Sequence, residues 1–297
     1  MRWLFIVLLV TVSPSCAGPV ASRSAPAATT PAAPSPSALS PMPAPEGWVP
    51  YPSPSANDPA LTCANYSRRE WRVTAAGESV KVSPDTWGNH QDPLPPEINS
   101  RSVAVGSKSE RHVIRVEDGW LVGLNAGEFG GALWWFGSDG KSSKRLGDEN
   151  VVGFAESSKG VLALAGLAHM DSDSGKVFRI TDGESGNRKV EALADLGAAP
   201  RAFAVESQDS LLIVTTRGIV RVRSSGAVEQ LLTTNYGLLY PNSMTVSPSG
   251  VVYIGMRHFI TRLTPTGNGY KEEWFVPASC TRFETRDYDC VCISGRK

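Results

Sequence analysis

The sequence predicts an all-β protein, a β-propeller of about five four-stranded blades closed by strands from both termini. Three observations lead there. Apolar runs at residues 120–123, 161–164, 211–214 and 251–254 each open a strand-like stretch and recur every ~40–50 residues. Turn chemistry separates them: Glu117-Asp118-Gly119, Ser138-Asp139-Gly140, Ser224-Ser225-Gly226 and Pro248-Ser249-Gly250. Helical periodicity is absent almost everywhere, while 28 glycines interrupt the apolar runs.

Taken in order, residues 1–16 read as an export signal. Arg2 supplies the positive charge, and residues 3–12 form an apolar run too short to span a membrane. Residues 17–59 are Ala, Pro, Ser and Thr with almost no large apolar side chains. Such a segment cannot offset its chain entropy and reads as an extended tether. Residues 60–297 form the propeller domain. It opens with a hairpin of strands at 71–74 and 79–82, followed by a Pro-rich loop to residue 99. Four repeats of four strands follow, the inner strands at 112–116, 151–155, 201–205 and 243–246. Two last strands, 282–285 and 289–293, are expected to share the fifth blade with the N-terminal hairpin, which removes a free edge. Local pairing of the cysteines and six blades are the alternative.

The cysteines are Cys16, Cys63, Cys280, Cys290 and Cys292, none at C-x-x-C spacing, so a zinc site is not indicated. Setting Cys16 aside leaves an even number in an exported chain, compatible with two disulfides. Cys290 and Cys292 share one strand face and take different partners. Cys63 joined to either would lock the ring, and Cys280 joined to either is the local alternative. Basic and acidic residues balance at 29 each, so net charge favours neither nucleic acid nor an acidic membrane surface.

Two resemblances add to this reading. Ser13-Pro14-Ser15-Cys16 after the apolar run resembles a bacterial lipoprotein signal. That implies an acylated Cys16 and a domain held at the cell envelope, with the membrane as partner. A soluble periplasmic or secreted product is the alternative. Residues 239–250, with Pro241-Asn242-Ser243 and Ser247-Pro248-Ser249-Gly250, resemble a blade opening of SMP-30/gluconolactonase-like and NHL-like propellers. Ser243 stands where that pattern has glycine and Ser249 where it has aspartate. In the gluconolactonase-like family the asparagine is a metal ligand, which implies Asn242 here. Glu70 and Asp85 stand nearest to the place of its acidic ligand. Residues 127–136 resemble bacterial exported propellers of unassigned function.

In a propeller, the loop entering each inner strand and the turn between the second and third strands open on one face. Aligning the repeats places Asn125, Glu128, His169, Arg217, Arg257 and His258 at those turns. Arg201, Tyr240 and Asn242 enter inner strands. Imidazole and carboxylate together suit a metal or proton transfer, with Asn242, Glu128 and His258 as the metal set. The arginines suit a carboxylate, phosphate or sugar acid. Solvated turn residues are the plain alternative. Trp134-Trp135-Phe136 reads as core, and residues 171–175 as a polar turn rather than a calcium loop.

No nucleophile elbow, P-loop, dinucleotide glycine pattern or zincin motif occurs, and the sequence does not decide whether the protein is an enzyme. The reading it favours is an envelope-tethered or secreted propeller that binds a protein, peptide or glycan on its channel face. The alternative is a divalent-metal-dependent, lactonase-like hydrolase working in the channel.

Overall fold

The computed structural model describes residues 42–294 except 56, 87–89, 100–102, 104–108, 183–186, 268 and 288. The signal and lipidation expectations, Cys16 included, fall outside them. In chain order come β1 (Trp48–Tyr51), α1 (Pro59–Asn65), β2 (Arg69–Ala76) and β3 (Ser79–Thr86). The first repeat is β4 (Glu110–Val116), β5 (Gly119–Asn125), β6 (Gly131–Gly137) and β7 (Ser143–Gly147). The second is β8 (Val151–Ser157), β9 (Gly160–His169), β10 (Ser172–Thr181) and β11 (Lys189–Asp195). The third is β12 (Pro200–Ser207), β13 (Ser210–Thr215), β14 (Gly218–Arg223) and β15 (Val228–Thr233). The fourth is β16 (Ser243–Val246), β17 (Val252–Gly255), β18 (Ile260–Thr266) and β19 (Gly269–Pro277), and the chain ends with β20 (Arg282–Arg286) and β21 (Asp289–Ile293).

Each repeat is one antiparallel meander, as expected. The inner strands stand side by side: β4 packs beside β8, β8 beside β12, β12 beside β16, and β16 beside β2. The hairpin β2–β3 thus holds the fifth place in the ring, and all five inner strands line one channel. The molecule is an all-β propeller.

Alternation along the strands explains how the sheets cohere. All six residues of β13 are buried, yet they serve two interfaces. Leu211 and Ile213 pack toward the second sheet with Leu162, Leu164 and Val177. Leu212 and Val214 pack toward the fourth with Val252, Ile254 and Leu263. A strand buried on both faces reads as a continuous apolar run, and each such side chain contributes roughly 1.5–3 kcal/mol on burial. Close approach between blades requires glycine, and two positions illustrate it. A Cβ at Gly123 would overlap the Val151 side chain of the next blade, and one at Gly255 would overlap the Trp71 carbonyl of the hairpin.

The closure differs from the expected shared blade. β2–β3 and β20–β21 are separate two-stranded sheets. The N-terminal strand that joins a sheet is β1, which pairs antiparallel with β19 from Trp48↔Pro277 to Tyr51↔Trp274. The expected tether at 17–59 is therefore too long. Trp48 is buried against Trp71, the rings 5.0 Å apart and near-perpendicular, and that burial is what orders a four-residue strand in a Pro-rich setting. α1 follows, capped by Asp58, whose carboxylate accepts from Ala60 N at 2.8 Å, with Pro59 in the first turn. Its buried face, Ala60, Leu61 and Ala64, packs into the core between the third and fourth sheets.

Two disulfides form, Cys63–Cys290 and Cys280–Cys292. Cys290 and Cys292 do take different partners. The first bridge ties α1 to β21 across 227 residues, and the second closes the short C-terminal hairpin. Among the described residues no helix is long and apolar enough to cross a membrane.

Candidate functional site

The channel holds a cavity of about 410 Å³. Its walls follow from period-two alternation: residues i and i+2 of each inner strand face the same way. Glu70 and Arg72 come from β2, Glu110 and His112 from β4, Phe154 from β8, Arg201 and Phe203 from β12, and Met244 from β16, with Asn242 at its entry. The entry end is thus charged and the deeper layer is largely apolar on the β8, β12 and β16 side.

Glu70 is 4% exposed and anchors the most crowded part of the mouth. Arg257 donates to it at 3.2 Å, Asn242 Nδ2 donates at 3.1 Å, and a backbone bridge pairs Glu70 with Arg257. Burial nonetheless holds the carboxyl above its usual pKa, against the pull of Asn242 and Arg257. Arg257 also donates to the Asn65 carbonyl at 2.6 Å and lies 3.6 Å over the Tyr240 ring. Tyr240 sits in the left-handed backbone region at φ +49°, closing the 3-10 turn at Gly237–Leu239.

Arg201 lies against the same ring at 5.3 Å. Its Nε is buried without a hydrogen-bond partner, and no ion pair engages it among the described residues. Burial lowers its pKa. Glu110 stands close enough to interact through space but not to bond. Burial raises the Glu110 pKa, and Asn125 Nδ2 donates to it at 3.3 Å. Asn125 Oδ1 also accepts from Gly127 N at 3.0 Å, fixing the turn after β5.

A second depression opens beside the channel and shares Arg201 and Tyr240 with it. Asp173 organises its floor, accepting from Ala199 N at 2.8 Å, Thr216 Oγ1 at 2.7 Å and Arg217 Nε at 2.8 Å. Burial opposes ionisation there, but those three donors hold the carboxyl below its usual pKa. The run expected as a polar turn at 171–175 is therefore mostly strand, with Asp173 tying the second blade to the third. At the rim His169 meets Glu128 at 2.8 Å, both well exposed.

Of the predicted residues, Asn125, Arg201, Tyr240 and Asn242 line the channel, and His169 and Arg217 line the neighbouring depression with Arg201 and Tyr240. The expected metal set does not assemble. Glu128 is paired with His169, Asn242 with Glu70, and His258 donates from Nε2 to the Cys290 carbonyl at 3.0 Å. His258 is 3% exposed, packs on Phe283 with ring centroids 5.0 Å apart, and is pushed down to a pKa of about 4 by burial. The C-terminal hairpin takes it for structure, which repeat alignment could not foresee. The donors near Asn242 also do not fit the family's metal: the adjoining carboxylate, Glu70, already carries the Arg257 guanidinium.

Reasoning from repeats missed Glu110, His90, Asp92 and His112. The first and last are simply the alternate inward positions of β4, a signal that was available. His90 and Asp92 are placed by a parallel bridge of Gln91 with Arg111, a pairing across twenty positions of sequence that no local pattern announces.

No family model matches the chain, and no curated protein matches it. Among solved structures it is similar to a putative 6-phosphogluconolactonase from Bacteroides fragilis, at 10% identity and a TM-score of 0.35, over 77% of this chain and 70% of that one. A likeness that distant says nothing of activity.

Proposed function

We propose that this protein is an exported binding module whose channel mouth takes an acidic ligand, a carboxylate or phosphate carried on a peptide or glycan. The observation that carries the reading is Arg201. A guanidinium with a buried, unpartnered Nε is costly unless something pairs with it. Its fork suits a bidentate oxyanion. Asn125 and Asn242 add neutral hydrogen-bonding groups at the same mouth. The other two arginines of the expected clamp are engaged, Arg217 by Asp173 and Arg257 by Glu70.

The test is isothermal titration of a panel of uronic acids, sugar phosphates and acidic peptides against the intact protein and Arg201→Gln. Binding that weakens with salt and falls by about tenfold or more in the variant, a loss of ~1.4 kcal/mol or more, supports the reading. Equal binding by both proteins sinks it. The alternative of a metal-dependent lactonase draws no support from Asn242, because the carboxylate beside it, Glu70, is already paired with Arg257.

Envelope tethering belongs to the same proposal. Two disulfides fit the chemistry of an oxidising compartment, and the lipoprotein-like signal supports an anchor at Cys16. Cys16→Ser should move the protein from the membrane fraction to the soluble one; a variant that stays in the membrane fraction overturns the anchor at Cys16, and a parent already in the soluble fraction leaves a soluble periplasmic or secreted protein.

A further inference from the structure

The geometry points to a divalent transition-metal site at His90, Asp92 and His112, on the channel wall, independent of the acid-binding reading. The backbone builds it. Arg111 N donates to the His90 carbonyl at 3.0 Å and Asp92 N donates to the Arg111 carbonyl at 3.0 Å, so residues 90–92 run as a short parallel rung beside the start of β4. In such a rung the residues flanking the bridged pair share one face. His90 and Asp92 thereby meet His112, and all three line the channel cavity.

The side chains have the chemistry of a ligand set. One ligand atom from each lies within 4.8 Å of the others. His90 Nε2 stands 3.4 Å from Asp92 Oδ1, the spacing of neighbouring ligands around an ion bonded at about 2.0–2.2 Å. The remaining pairs need close only by roughly an ångström, well within side-chain rotation. Asp92 is oriented from behind: its Oδ2 accepts from Val113 N at 2.9 Å, leaving Oδ1 toward the imidazoles. Such second-shell support is usual for metal-binding carboxylates. Of the neighbouring cations, Arg111 is engaged by the Asp92 carbonyl at 2.8 Å and Arg72 is paired with Asp85 at 2.8 Å.

A purely structural cluster does not account for His112. Its Nε2 is buried in the cavity wall with no hydrogen-bond partner, although the ring stacks on His90 with centroids 4.6 Å apart. The His112 ring, set beside a second imidazole and a carboxylate, gains a partner when a cation sits among them. Two imidazoles and one carboxylate suit Zn²⁺, Co²⁺, Ni²⁺ or Cu²⁺ better than Ca²⁺ or Mg²⁺. Three protein ligands leave coordination positions open to the channel.

The experiment uses the oxidised, full-length protein. Zn²⁺ is titrated against a competing chelator, and Co²⁺ is followed by its visible absorption. One ion per chain, with a low-coordinate Co²⁺ spectrum, is expected. His90→Ala and His112→Gln should each weaken binding by at least the roughly 10–100-fold typical of losing a supporting group. His90 is half-exposed, so His90→Ala keeps the test valid if the His112 variant fails to fold. His169→Ala and Arg201→Gln should bind the ion unchanged, which separates this site from the exposed Glu128–His169 pair and from the acid-binding mouth. Absence of stoichiometric binding, binding unaffected by His90→Ala, or loss of binding in His169→Ala each overturns the assignment.

Discussion

Two arginines rest against the ring of Tyr240, and among the described residues only Arg257 is ion-paired with a carboxylate. Arg257 belongs to the closure of the ring, where Glu70, Asn242 and the Asn65 carbonyl satisfy the polar groups around it. His258, the next residue, is likewise spent on the Cys290 carbonyl. Arg201, at the entry of the third blade, is left without such partners. Loops that open on the same face of a repeated fold thus differ in whether their arginines are tied into the closure, depending on whether the chain termini reach them. Residue type and repeat position alone do not separate the two. Pairing does.

That contrast can be broken or sharpened by measurement. The largest effect should come from the closure itself. Replacing Cys63 and Cys290 by serine releases a loop closed across 227 residues, and the chain-entropy model puts the loss at about 5 kcal/mol. Denaturant unfolding under oxidising conditions would read it, and an unchanged midpoint would mean that α1 and β21 hold together without the bridge. Next is the pair of arginines. Arg257→Gln strands a buried carboxylate and should cost about 3–5 kcal/mol. Arg201→Gln removes a guanidinium that lacks a partner and should stay within about 1 kcal/mol of the parent, in either direction. Similar losses in both would erase the distinction.

Acidity gives a third handle. His258 has a folded pKa of about 4 against an ordinary 6.5. Between those values the unfolded chain takes up a proton that the folded chain refuses. The contribution is complete above pH 6.5 and is lost as pH falls toward 4, by roughly 3 kcal/mol at most. His258→Asn, which tolerates the left-handed backbone at φ +59°, should flatten that part of the pH–stability profile. The smallest effect is expected at the exposed Glu128–His169 pair, where His169→Ala should change stability by less than about 1 kcal/mol.

The ring was legible because its interfaces are written locally. Alternation in β13 and its equivalents, with Asp-Gly and Ser-Gly turns, is enough to place sixteen strands in four sheets. β1 was not legible: four residues in a Pro-rich stretch form a strand only because Trp48 finds Trp71 and because Val49 and Tyr51 pair with a segment over two hundred residues away. α1 carried its own announcement in Asp58 and Pro59, which a search for repeats passes over. At the mouth, the turn residues could be listed but their partners could not. Glu70 meets Arg257, and His90 meets His112, through pairings fixed only when the ring closes.

The bridge from Cys63 to Cys290 has one more consequence. It makes nearly the whole propeller a single covalent circle, from the helix before the first hairpin to the last strand of the chain. A protease that cuts one loop inside that circle creates new ends but releases no fragment, because the two pieces remain joined through sulfur. The blades on either side of the cut stay neighbours, and their buried interfaces persist. A single nick there leaves one molecule, and only a second cut or a reductant takes it apart.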